Sequence, residues 1–167
     1  MEIKTIIQSR LSGPCPTTYR DVANFSDLKD VDMHHVCAYA FCDGKLVLVF
    51  DKDKKRWTPP GGHLEGDESL EEGTSREIKE ETNMRVVYHQ MIGHQAITEP
   101  HRVTNQTRSF CIVEPYGPFL ADPDGDITEI KLIEPKDAKQ YFDWGVVGEH
   151  VLKRAVEMLE AYNRGER

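Results

Sequence analysis

The chain is predicted to be an α/β protein, and three observations carry that expectation. An alternating apolar stretch is broken by a two-residue turn, a capped helix follows that is crowded with acids, and a helix-period apolar stripe lies near the C-terminus. The implied order is strand, hairpin, strand, helix, strands, helix. A length of 167 residues suits one domain with a sizeable interior.

Residues 1–33 carry the least pattern. Pro14 and Pro16 interrupt them, and Thr17 or Thr18 is placed to cap a short helix with Tyr19, Val22, Phe25 and Leu28 at three-residue spacing. Such a helix would either pack on the rest of the chain or act as a lid or dimer contact. From 35 to 42 the residues read as a strand, Asp43-Gly44 is a two-residue hairpin turn, and 45–50 return as a second strand. A polar loop over 51–56 follows, then Trp57, which either stacks on a nucleobase or packs at the sheet edge. His34 and His35 have no partner at metal-ligand spacing and read as strand entry.

Within 61–84 stand Glu65, Asp67, Glu68, Glu71, Glu72, Glu77, Glu80 and Glu81, balanced only by Arg76 and Lys79. Gly61-Gly62 marks a loop, and Ser69 with Glu72 three residues later has the form of a capping box, which predicts a helix over 70–82. Glu77, Glu80 and Glu81 then fall at i, i+3 and i+4 on one face. Like charges so placed repel, and the last turn faces the negative end of the helix dipole. A hard divalent cation, Mg²⁺ or Mn²⁺, would offset both and keep positions open for waters and phosphate oxygens. The alternative is a solvated acidic face.

The later elements follow more loosely. Residues 86–97 read as a strand broken at Gly93, 98–107 as a loop long enough for a functional flap, and 108–114 as the next strand. In that loop Arg102 or His101 would meet a phosphate or a base, unless the loop is simply solvated. Asp122, Asp124, Asp126 and Gly125 have the look of a calcium loop, but Lys131 stands where a bidentate Glu is required, which excludes an EF-hand. Residues 127–133 read as a strand, Pro135 opens a short helix to about 141, and Val147, Val151, Ala155, Met158 and Tyr162 mark a closing amphipathic helix.

Gly62, five residues, Glu68, seven residues, and then Arg76-Glu77-Ile78-Lys79-Glu80-Glu81-Thr82-Asn83-Met84 form a long fixed spacing. It resembles the Nudix box at every fixed position but the last Gly, where Asn83 stands. That Gly ends the helix in a left-handed conformation, for which Asn is the next-best residue. The preceding Trp57-Thr58-Pro59-Pro60-Gly61-Gly62 is also similar to the family. The resemblance implies a Nudix-like α/β/α sandwich with a mixed β-sheet, a single domain over 1–167, and 1–33 as an N-terminal extension packed on it. It further implies that Glu77, Glu80 and Glu81 hold Mg²⁺ (or Mn²⁺), that Gly61 lends its backbone carbonyl, and that Arg76 and Glu68 form a bracing ion pair. Glu129 matches where several Nudix enzymes carry a further carboxylate, as ligand or base, with a solvent-facing strand residue as the alternative. Pro100, 16 residues beyond Met84, has a spacing similar to a subgroup acting on ADP-ribose.

The formal charge of −8, from 29 acidic and 21 basic residues, with no basic run longer than Lys54-Lys55-Arg56, argues against a grip on long nucleic acid. A small phosphorylated nucleotide fits better. No run of about 18 apolar residues offers a membrane span, and the first ten residues are too polar for an export signal. Cys15, Cys37, Cys42 and Cys111 show no CxxC spacing and read as reduced thiols in a cytoplasmic protein, monomer or homodimer. The expected activity is metal-dependent hydrolysis of the diphosphate linkage of a nucleoside diphosphate derivative, foremost a nucleoside triphosphate. ADP-ribose or a sugar nucleotide is the next substrate, and a non-catalytic nucleotide-sensing module the reading from another class.

Overall fold

The computed structural model describes residues 1–9 and 11–166. The strands are β1 (Glu2–Ser9), β2 (Gly13–Asp21), β3 (His35–Cys42), β4 (Lys45–Asp51), β5 (Arg56–Thr58), β6 (Gly61–His63), β7 (Met84–Thr98), β8 (Val103–Pro115) and β9 (Ile127–Ile133), with helices α1 (Leu70–Thr82) and α2 (Gly145–Asn163). They form one mixed sheet in the order β1-β2-β7-β8-β3-β4-β5, with β6 added to β3 and β9 to β4. Only β3 and β8 run parallel among these pairings, Ala38 lying opposite Ser109.

Strand alternation assigns a helix to each face of this sheet. On one side Ala38, Ala40, Cys42, Val47, Cys111 and Val113 bury against Ile78 of α1 and Met84. On the other, Tyr39, Phe41, Leu46, Leu48 and Phe110 bury against Val147, Val151, Ala155 and Leu159 of α2. The result is the expected α/β/α sandwich. All four cysteines are free thiols, and Cys15, Cys42 and Cys111 are buried in strands.

Helix α1 begins at the expected capping box: the Glu72 amide donates to the Ser69 hydroxyl, and the Ser69 amide donates to the Glu72 carboxylate. It ends at Asn83 in the left-handed region, φ 55°, whose amide donates to the Lys79 carbonyl at 2.9 Å. The Asn83 side chain does what glycine could not, its amide donating to the Pro118 carbonyl at 2.8 Å. The Asp43-Gly44 turn forms as read, both residues at positive φ.

The structure corrects the N-terminal expectation. No helix starts at Thr17 or Thr18; β2 runs through both, with Cys15, Thr17 and Tyr19 buried at period two and residues 17–21 paired onto β7, and only Phe25–Leu28 makes a 3-10 turn in this stretch. The threonines favour an extended backbone, and a sheet edge on β7 supplied the partner that the sequence could not reveal. The flap over 98–107 also contracts. β7 and β8 pair as far as Thr98 opposite Val103, leaving a tight turn closed by the Glu99 amide on the Arg102 carbonyl. Register shifts between Val86 and Tyr88 and between Met91 and Gly93 explain why β7 looked interrupted.

The β1–β2 hairpin is tied to α2 through Asp21. Its carboxylate accepts from the Met1 amine at 2.9 Å and the Tyr19 hydroxyl at 3.0 Å, and lies 2.8 Å from the His150 Nε2. Burial by itself would raise this carboxyl, but the hydrogen bonds from His150, the amine and Tyr19 win and hold its pKa at about 2. A depressed acid contributes stability that is full above its unfolded pKa and lost as pH falls through the folded one. Asp21→Asn is therefore expected to lower stability by about 1–2 kcal/mol at pH 7, a few degrees in Tm. In thermal melts the gap from wild type should close between about pH 4 and pH 2; a gap that persists at pH 2 would remove the electrostatic explanation.

Candidate active site

The acids of α1 meet the short strand β6 at the sheet margin. Arg76, projecting from the middle of the helix, is the fixed point. Its Nε donates to Glu68 Oε1 at 2.6 Å, one terminal nitrogen to Glu68 Oε2 at 3.0 Å and to the His63 carbonyl at 2.9 Å. The other terminal nitrogen donates to Glu77 Oε1 and Glu80 Oε2, both at 3.0 Å. The Glu68–Arg76 pair expected from the sequence thus forms bidentately and locks the 64–68 loop to the helix. Hydrogen bonding to Glu68 contributes most to raising the Arg76 pKa.

Glu81 lies deeper, its Oε2 accepting the Gly61 amide at 2.9 Å. Burial pushes its pKa up to about 8 against that hydrogen bond, with Glu77 and Asp122 adding to the rise. Burial likewise takes Glu77 to about 7, opposed by Arg76 and helped by Glu80 and Asp124. The two glycines are required by proximity. A Cβ on Gly61, at φ 152°, would overlap the Val36 carbonyl, and one on Gly62 would sit 2.5 Å from Glu77 Oε1.

Among the described residues no three acidic, His or Cys side chains already close a coordination shell. The donor set nonetheless fits a hard divalent cation. It consists of carboxylate oxygens on one helix face, Glu81 buried and Glu77 half-buried, with burial raising the pKa of both, and further acids on the 121–126 loop. Glu77, Glu80 and Glu81 are the residues that would hold it, beside Gly61.

The remaining expected residues scatter. Trp57 on β5 packs against Phe50, ring centroids 5.2 Å apart, and Tyr141, with the Lys131 ammonium 4.8 Å from its ring. Arg102 lies exposed in the 99–102 turn, paired with Glu99 at 2.8 Å. Glu129 is exposed on β9 opposite Phe50. The acids outside the helix whose fields reach Glu77 and Glu81 are instead Asp124 and Asp122. Asp122 is buried and accepts the Asp126 and Ile127 amides, so the Asp-rich stretch rejected as a calcium loop is a turn that brings carboxylates to α1. Its spacing held no signal for that role. A groove of about 640 Å³ runs beside the site along α1, lined by Arg76, Lys79, Glu80, Tyr116 and Leu120.

Comparison with known proteins agrees with this geometry. Residues 33–154 match the model of the NUDIX domain. A stretch of 51 residues is 43% identical to a "MutT-like protein" of Streptomyces ambofaciens, covering 30% of this chain and 33% of that one, so the match spans about a third of the relative's length. Among solved structures, the Bacillus subtilis pyrophosphohydrolase BsRppH superposes with a TM-score of 0.68 at 22% identity, over 92% of this chain and 97% of that one. The NUDIX domain of Shewanella oneidensis NrtR, complexed with ADP ribose, superposes with a TM-score of 0.61 at 18% identity, over 80% and 92%. With the box residues assembled around Arg76 and the family model matched across most of its length, the chain belongs to the Nudix family.

Proposed function

We propose that this protein is a metal-dependent pyrophosphohydrolase that cleaves the diphosphate linkage of a nucleoside diphosphate derivative, with a nucleoside triphosphate as first substrate and monophosphate and pyrophosphate as products. The observation that carries the reading is the placement of Glu77, Glu80 and Glu81 on one helix face, the first two held by Arg76 and the third by the Gly61 amide. A bound divalent cation would neutralise the diphosphate and lower the pKa of an attacking water. The chain supplies the rest. Arg76 fixes the directions of Glu77 and Glu80, and Gly61 and Gly62 leave the backbone room to approach Glu81 and Glu77. As water adds to phosphorus, the anhydride P–O bond breaks and its electron pair leaves on the bridging oxygen. The proton lost by the water passes to a nearby carboxylate.

ADP-ribose is the second reading, supported by the ADP ribose complex of the NrtR NUDIX domain and by the position of Pro100. No helix among the described residues is long and apolar enough to cross a membrane, in keeping with the proposed cytoplasmic setting and small nucleotide partner.

Phosphate and pyrophosphate release from a nucleotide panel should require Mg²⁺ or Mn²⁺, and Glu81→Gln should lower kcat by at least about a hundredfold. Equal release by wild type and variant would remove the catalytic assignment; tight nucleotide binding without release by wild type would make the protein a sensing module. Mg²⁺ should also raise the wild-type Tm and leave that of Glu81→Gln nearly unchanged. Between the outer acids, Asp124→Ala should cost more rate than Glu129→Ala, by about tenfold or more; the reverse order would return the role to Glu129.

A further inference from the structure

The face of the sheet that carries α2 holds a polar row that the hydrolytic centre does not use. Cross-strand partners point to the same side of a sheet. Tyr19 pairs with Gln95, Gln95 with Gln106, Gln106 with His35, and His35 with His63, so one line of side chains crosses five strands. The line grades from exposed at His63, through half-buried His35 and Gln106, to Gln95 at 6% and Tyr19 at 0% exposure. His63 follows Gly62, against which the Glu77 carboxylate rests, so the row begins on the strand that borders the acidic centre.

Arg108, two residues along the same face from Gln106, forms the floor. It is 5% exposed, yet among the described residues it has no carboxylate partner. Its terminal nitrogens donate to the Thr107 carbonyl at 2.9 Å, to Gln95 Oε1 at 2.8 Å and to Gln106 Oε1 at 3.0 Å, and its guanidinium lies 5.4 Å from the Trp144 ring. A buried cation without a counter-ion is costly. Because arginine has donors only, it claims the oxygens of both glutamines and leaves each of them its amide nitrogen to donate. The Tyr39 hydroxyl, buried on the same face, has no hydrogen-bond partner among the described residues. His35 adds no second cation, since burial and then His63 take its pKa down to about 4. The row thus offers amide donors held in place by one buried guanidinium, which complement a flat ring bearing adjacent acceptors.

We propose that this row is the base-recognition site and that it selects a 6-oxopurine. That ring presents O6 and N7 as adjacent acceptors, whereas adenine replaces O6 with an amino donor, cytosine presents an amino donor, and uracil offers a single carbonyl acceptor on the corresponding edge. Two amide donors backed by a guanidinium match the first pattern and leave an amino group facing donors. The proposal rests on the reading of the protein as acting on nucleotides, but its test does not need turnover.

The probes are the α,β-methylene analogues of GDP, IDP, ADP and UDP, titrated calorimetrically onto the full chain with Mg²⁺. GDP and IDP analogues should bind at least about tenfold more tightly than the ADP and UDP analogues. Gln106→Glu and Gln95→Glu each turn an amide donor into an acceptor and hand Arg108 a counter-ion. Both variants should melt no lower than wild type while the GDP-to-ADP ratio falls to about twofold or inverts. Equal binding of the ADP or UDP analogue, failure of every analogue to bind, or a preference that survives both substitutions would overturn the proposal. A preference without hydrolysis of GTP would instead sink the hydrolase reading and leave the base site standing, and hydrolysis without preference would do the opposite.

Discussion

Everything at the acidic centre hangs on the guanidinium of Arg76, which meets two carboxylate oxygens of Glu68, the His63 carbonyl, and one oxygen each from Glu77 and Glu80. A planar fork with fixed donor directions does what a lysine could not, because each acceptor is held at an angle as well as a distance. The loop after β6, the helix face and the strand backbone are thereby referred to one rigid group. Repulsion among the helix acids is tolerated because this group stands between Glu77 and Glu80, while Glu81 turns away to the Gly61 amide. The local sequence order, loop acid, then Arg-Glu, then Glu-Glu, is the shortest way to wrap five acceptors around one side chain.

The division of labour between the faces of the sheet follows from alternation. Residues of β3 that point toward α1 are small, Ala38, Ala40 and Cys42, which lets the helix lie close; those that point toward α2 are large, Tyr39 and Phe41. The sheet is therefore thin on the side of the acids and deep on the other, and the polar row lies on the deep side. β6 forms the rim between them.

The acidic helix was legible because its information is local. Ser69, Glu72 and Asn83 define the ends through contacts within one turn, and the spacing of Glu68, Arg76, Glu77, Glu80 and Glu81 is a property of the helix itself. The hairpin at Asp43-Gly44 and the stripe of α2 were legible for the same reason. β2 was not, since Tyr19 also falls on a helical period with Val22, Phe25 and Leu28, and what decides the conformation of residues 17–21 is a partner strand about 80 residues later. Arg108, Gln95 and Gln106 carried no signal because a polar residue in a strand reads as solvent-facing unless the neighbouring strands are known. Asp122 and Asp124 read only as a failed calcium loop for a related reason: their turn is closed locally by the Gly125, Asp126 and Ile127 amides on Asp122, but its placement beside α1 is a matter of packing that spacing does not carry.

The lone parallel seam, β3 beside β8, has a consequence for how the chain reaches this form. Ala38 must find Ser109 after everything between them, including α1 and the long β7–β8 hairpin, has been accommodated. Hairpins and the capped helix can form early from near neighbours, but joining these pieces requires closing a loop of roughly seventy residues, whose entropic cost precedes any reward. Closures as long or longer join β2 to β7 and β4 to β9, so assembly of the sheet rests on several late zippering events, and the acidic helix, however well it is encoded, waits on them for the surface it needs to lie against.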